Sequence, residues 1–202
     1  LDAEGNDQNS FRLVDEKGNE VPYQLLDEHQ VSGNRDEVIT LVFVAKDIPS
    51  VGYRTYYLEK GKPAQFTNSS KTGSSTFEND FFKVEFADGG IKSLYDKEIG
   101  VNLLKTDKFL GAELFTMQSV GNGAGEFTDV QQPTMEGFEK MSQYKQPWSL
   151  VASGPVQDVY EFKKAINHVT IVEKVIFYKS LKRIDFNVQL LGFDGERYRE
   201  FR

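Results

Sequence analysis

Between Phe77 and Leu104 the chain reads FENDFFKVEFADGGIKSLYDKEIGVNLL. Phe82, Val84 and Phe86 alternate with Lys83 and Glu85, a period of two that leaves one strand face apolar and the other wet. Asp88-Gly89-Gly90 follows with residues that tolerate positive φ, as a two-residue hairpin turn requires. Ile91, Leu94 and Tyr95 then open the return strand. No segment of the chain sustains a helical period over three or more turns. The fold class this implies is all-β, with antiparallel sheets packed as a sandwich.

The flanking sequence repeats the pattern. Phe11-Arg12-Leu13-Val14 leads into the turn cluster Asp15 to Asn19, and Val21 to Leu26 returns. VITLVFV, within Glu37 to Ala45, reads as a strand buried on both faces. Pro49 ends it, and Gly52 to Leu58 makes the next strand, with Tyr53 and Tyr57 on one side. Residues 1–60 are therefore expected to form a small β-sandwich-like domain. Residues 61–76 (GKPAQFTNSSKTGSST) are polar and aperiodic, a linker or long surface loop. Asn68-Ser69-Ser70 within it matches a glycosylation sequon, a tripeptide that polar loops also produce by chance.

Residues 77–202 return to strands. Phe109 to Val120 is a candidate, and Val156 to Phe162, His168 to Tyr178 and Ile184 to Leu191 follow at the spacing of antiparallel neighbours. In the last, Ile184, Phe186, Val188 and Leu190 point one way and Asp185, Asn187 and Gln189 the other. Asp194-Gly195 is a second hairpin signal, with Arg197 to Arg202 starting a further strand.

Composition removes several function classes. A formal net charge of −7 with scattered Lys and Arg argues against a nucleic-acid surface. The absence of cysteine excludes disulfides and thiolate chemistry. No apolar run approaches the ~20 residues that span a bilayer, so no membrane partner is expected. The chain opens on Leu1, not Met, and is expected to have been cut from something longer or processed.

Four stretches together resemble glycoside hydrolase family 38, the α-mannosidases. Glu78 to Lys97 is similar to the family's "EN-x-F/Y-x-V-x-F" strand running through "DGG-ϕ-x-S-ϕ-Y-D-K", where ϕ is apolar. DIPSVGYRTYYL (Asp47 to Leu58) resembles a strand start of the family's small β domain. Ser153-Gly154-Pro155-Val156 and the pair KRIDFNV (Lys182 to Val188) with Asp194 to Arg199 resemble later motifs in the same order. The resemblance implies the first part of a C-terminal β-sandwich, of the galactose-mutarotase-like supersandwich kind, preceded by a small β domain. It also implies a parent that hydrolyses α-mannosidic bonds with retention, using two carboxylates and a zinc ion. Those groups are expected in an N-terminal catalytic domain upstream of Leu1, the partner against which this chain would pack. No catalytic or metal-binding residue is carried over, and no cofactor is expected within this stretch.

The residues themselves offer little chemistry. His29 and His168 stand in separate strand regions without ligand spacing for zinc. There is no G-x-S-x-G elbow. Gly121 to Gly125 (GNGAG) lacks the strand-to-helix context of a phosphate cradle and reads as a loop. Glu78 with Asp80, Asp96 with Glu98, and Asp194 with Glu196 are spaced so that each pair shares a strand face, but turns account for several of them. Tyr144-Lys145-Gln146-Pro147-Trp148 is the candidate for sugar contact through Tyr144 and Trp148, against the alternative that Trp148 packs inside. Three roles therefore stand side by side: a non-catalytic part of a mannosidase, an independent carbohydrate-binding module, and a structural domain able to form a homodimer through an open sheet edge.

Overall fold

The computed structural model describes residues 10–30, 37–66, 70–118 and 135–202. Two compact units divide the chain, one within Leu1–Ser69 and Gly154–Gln157, the other within Ser70–Ser153 and Asp158–Arg202. Apart from one short 3-10 turn, the regular elements among the described residues are antiparallel strands. No helix there is long and apolar enough to cross a membrane.

The first unit contains β1 (Phe11–Asp15), β2 (Tyr23–Gln30), β3 (Glu37–Phe43) and β4 (Tyr56–Lys60). The turn after β1 forms because Asp15 Oδ1 accepts hydrogen bonds from the amides of Lys17 (2.9 Å) and Asn19 (2.8 Å), the local pairing that favours Asp in turns. The chain then leaves its neighbour. β1 pairs with β4, not β2, and β2 pairs with β3. Leu13 and Val14 are buried, and the rings of Phe11 and Tyr23 stack at 4.8 Å. Two expectations need correcting. Leu41, Val42 and Phe43 are part-exposed, because β3 lies in a two-stranded sheet. Tyr53 lies outside the strand that starts at Tyr56, and it is almost fully exposed.

The second unit holds three sheets. β5 (Lys71–Thr72), β6 (Thr76–Glu78), β7 (Phe82–Ala87), β8 (Gly90–Asp96) and β9 (Val101–Asn102) form a five-stranded meander. β12 (Ser149–Ser153), β13 (Gln157–Ile166), β14 (Val169–Tyr178) and β15 (Ile184–Leu191) form a four-stranded sheet. β11 (Glu139–Lys140), β10 (Phe115–Gln118) and β16 (Arg199–Phe201) form a third. The alternation that opens the hairpin becomes the core: Phe82, Val84 and Phe86 are buried, facing a cluster that includes Trp148, Tyr160, Phe162 and Phe177. Phe77 stacks on Phe177 at 4.5 Å, and Phe86 lies 4.5 Å from Tyr160. Such aromatic contacts add to the stabilisation from area alone.

The hairpin turns at Asp88-Gly89, with Ala87 opposite Gly90. Gly89 has φ +74°, and a Cβ there would lie 2.4 Å from the Met141 carbonyl carbon. Glycine is required both by conformation and by this close approach. Asp194-Gly195 behaves differently. The strand after it, β16, pairs with β10 and not with β15, so the dipeptide begins a crossing between sheets, not a hairpin. Of the Phe109 to Val120 candidate, Phe115–Gln118 is strand, and residues 119–120 lie outside the described set.

Candidate functional site

The two aromatics singled out for sugar contact occupy different settings. A 3-10 turn, Met141–Tyr144, follows β11 and ends where Lys145 takes a left-handed φ of +48°. Trp148 then enters the core at 4% exposure, its ring centroid 5.3 Å from Phe86 and 5.8 Å from Phe162. An indole so enclosed presents no face to a ligand, and its Nε1 donor has no partner among the described residues. Tyr144 is half-buried beneath the Lys164 ammonium, 5.0 Å from the ring centroid, and burial raises its phenol above the ordinary value.

The spaced carboxylates are tied to cations. Lys97 Nζ lies 2.7 Å from Glu78 Oε1 and donates to the Asn79 carbonyl at the same distance. Lys182 Nζ bridges Asp96 Oδ2 at 2.9 Å and Glu98 Oε2 at 2.5 Å. The hydrogen bond from Lys97 holds the Glu78 carboxyl below its usual range, and that from Lys182 does the same for Asp96. An acid–base dyad needs one carboxyl pushed up to hold a proton. Neither of these groups is.

These same residues explain the hairpin motif mechanically. Buried Asn79 accepts from the amides of Phe81 (2.9 Å) and Phe82 (2.7 Å) and donates Nδ2 to the Tyr178 carbonyl at 2.9 Å. Asp96 accepts from the amides of Glu98 and Ile99, closing the turn before β9. Asparagine and aspartate are needed because short side-chain acceptors replace missing backbone partners at strand ends.

One constellation was not legible in the sequence. His168, at the β13–β14 turn with φ +73°, directs Nδ1 to Asp194 Oδ2 at 2.7 Å and Nε2 to Glu196 Oε2 at 3.3 Å. Glu196 Oε2 also accepts from Arg199 Nε at 2.6 Å, and Arg199 donates to the Gly137 carbonyl at 3.1 Å. Gln118 Nε2 completes the cluster at 3.2 Å from Glu196 Oε1. His168 holds the Asp194 carboxyl low, and Arg199 holds that of Glu196 low. Both imidazole nitrogens face carboxylates, so the cluster works as a clamp between the hairpin tip and the chain entering β16. Only register across three elements brings these residues together. His29 lies on β2 opposite Val38, in the other unit.

Among the described residues no group of three or more His, Asp or Glu side chains could hold a metal ion. Gly121 to Gly125, and Asn68 and Ser69 of the sequon, lie outside the described residues.

Residues 77–197 match the family described as "Glycosyl hydrolases family 38 C-terminal domain". Two solved structures from Enterococcus faecalis share the fold. One is a protein in glycosyl hydrolase family 38, with a TM-score of 0.67 at 15% identity, covering 98% of this chain and 27% of that one. The other is an α-mannosidase from strain V583, with a TM-score of 0.63 at 13% identity, covering 98% of this chain and 26% of that one. The chain thus spans about a quarter of the length of these structures. No curated protein matches the sequence.

Proposed function

Because the chain belongs to glycosyl hydrolase family 38, through that family's C-terminal domain, we propose that it is a non-catalytic β portion of a longer α-mannosidase-like hydrolase. Its role in this reading is to pack against a catalytic domain and complete it. The parent reaction would be zinc-dependent, retaining hydrolysis of α-mannosidic bonds, with the zinc and both carboxylates supplied elsewhere in the polypeptide. The observation that carries the reading is the use made of the family motif. Asn79 and Asp96 close turns, Lys97 and Lys182 neutralise carboxylates, and Phe82, Val84 and Phe86 fill the core. Every one of these motif residues is engaged in holding the sheets together.

The test is activity of the purified 202-residue chain on an aryl α-mannoside, with and without added zinc, beside the longer polypeptide that contains it. Turnover is expected from the longer polypeptide alone. Zinc-dependent turnover by the 202-residue chain would overturn the reading.

A further inference from the structure

His168 stands at the tip of the β13–β14 hairpin with a φ of +73°, in the left-handed region that most side chains avoid. A glycine or asparagine would take that turn position at less cost. What the imidazole adds is a link to another part of the chain.

Between β15 and β16 the chain crosses from the four-stranded sheet to the three-stranded one. The Asp194 amide in that crossing donates to the His168 carbonyl at 3.1 Å, so backbone already joins tip and crossing. Two carboxylates of the same crossing then take the ring between them. Asp194 Oδ2 lies 2.7 Å from Nδ1, and Glu196 Oε2 lies 3.3 Å from Nε2. Behind Glu196 stands Arg199 of β16, its Nε 2.6 Å from that same Oε2, while Gln118 of β10 reaches Oε1. Arg197 is exposed, and the Lys164 ammonium of β13 lies over Tyr144 instead.

A neutral imidazole carries one N–H and one bare lone pair, whereas an imidazolium carries two N–H donors. Both ring nitrogens here face anionic acceptors. With one proton on the ring, one nitrogen directs its lone pair at a carboxylate oxygen, and that contact is repulsive. With two, both contacts are attractive and charge-assisted. His168 and Arg199 respectively hold the Asp194 and Glu196 carboxyls below their usual ranges, so both stay ionised as the ring changes state. Arg199 keeps its own charge throughout and holds Glu196 to β16 regardless. Only the link from the crossing to the hairpin tip depends on the ring.

We propose that His168 is a pH-operated latch, closed on Asp194 and Glu196 when the imidazole carries two protons and released when it carries one. The crossing into β16 is then tied to the β13–β14 tip in mildly acidic solution and freer in mildly alkaline solution. Three-residue β16, which the crossing feeds, loosens with it. The latch belongs to this chain's own residues and holds whatever reaction a longer polypeptide performs.

The test is amide exchange on the 202-residue chain from about pH 5 to 8, the range over which histidine as a residue type changes charge. Each rate is divided by its intrinsic rate at that pH, and nitrogen NMR follows the imidazole alongside. His168→Asn keeps a residue suited to the left-handed turn but has no titrating ring. Glu173 is buried, and burial raises its carboxyl to about 8, so it responds over part of the same range. It does so alike in both proteins, and the difference between them isolates the latch. In the parent sequence, protection of the Asp194 amide and of the amides of Arg199–Phe201 is expected to fall ~3-fold or more, in step with loss of the ring's second proton. In His168→Asn that fall is absent. In Glu196→Gln, whose side-chain amide can donate to a bare ring nitrogen, it shrinks. Equal profiles in the parent and His168→Asn, or a fall out of step with the ring, overturn the inference. Should His168→Asn fail to fold, an undiminished fall in Glu196→Gln overturns it.

Discussion

Lys179 Nζ lies 3.0 Å from Asp158 Oδ1, with the aspartate side chain wholly enclosed and the lysine nearly so. Ser153 Oγ donates to the same oxygen at 2.7 Å, and Thr72 Oγ1 donates to the other. The pair therefore ties β13 to β5 and β12 as well as to the chain after β14. Removing one member leaves a buried charge without its partner. Lys179→Met is expected to cost ~3 kcal/mol in urea unfolding, with Asp158→Leu/Lys179→Met less damaging than the single change.

Gly89 and Gly195 both have positive φ, but only Gly89 faces backbone. A Cβ at Gly89 would lie 2.5 Å from the Ser142 amide nitrogen and 2.7 Å from the Met141 carbonyl oxygen, whereas Gly195 has nothing within 4 Å. Gly195→Ala should cost ~1 kcal/mol from conformation alone. Gly89→Ala should cost at least ~3 kcal/mol, because the hairpin must also move off the 3-10 turn. Thermal denaturation of the two variants side by side checks the difference.

The stability of the 202-residue chain should fall as pH rises from about 5 to 8. The Glu173 carboxyl is raised from an ordinary 4.5 to about 8 in the folded chain. Between those values the unfolded chain has released a proton that the folded chain keeps, so rising pH favours unfolding. The contribution is intact below the unfolded value and lost as pH climbs through the folded one, by at most ~5 kcal/mol. Asp96 and Asp194, whose carboxyls are held low, act in the opposite sense and only in more acidic solution. Urea midpoints against pH should slope downward for the parent sequence and flatten for Glu173→Gln.

Trp148 is the only tryptophan, which makes its burial directly readable. Its emission should be blue-shifted and poorly quenched by acrylamide. Trp148→Phe should stay within ~1 kcal/mol, since it removes an indole N–H that has no partner, while Trp148→Ala should cost ~3–5 kcal/mol. Red-shifted, readily quenched emission would contradict the placement.

Arg199 holds Glu196 with Nε and the Gly137 carbonyl with a second nitrogen. Lysine keeps the charge but lacks the fork that makes both bonds at once. Arg199→Lys should therefore speed amide exchange at Thr116 to Gln118, which pair with β16, without changing exchange in β7 and β8.

The hairpin was legible because its information is local. Alternation placed Phe82, Val84 and Phe86 on one face, and the turn residues Asp88 and Gly89 sit where the sequence puts them. Asp194-Gly195 carries the same turn signal but leads β16 to β10, since pairing depends on which edge is free, not on the dipeptide. The first unit shows the same limit: β1 passes over its neighbour β2 to pair with β4. Glu173 stood in plain view as the one charged residue in the row Val169, Ile171, Val175, Phe177, yet sequence alone did not say whether that row was covered.

The sequence by itself determined the all-β class, the hairpin turn, the family and the buried face of β7, because side-chain alternation and turn chemistry act over a few residues. Tertiary structure alone decided which strands pair, that Trp148 is enclosed, that His168 meets Asp194 and Glu196, and that Glu173 is buried. Those outcomes depend on contacts between residues far apart in the chain, where burial and register, not local preference, set the energy.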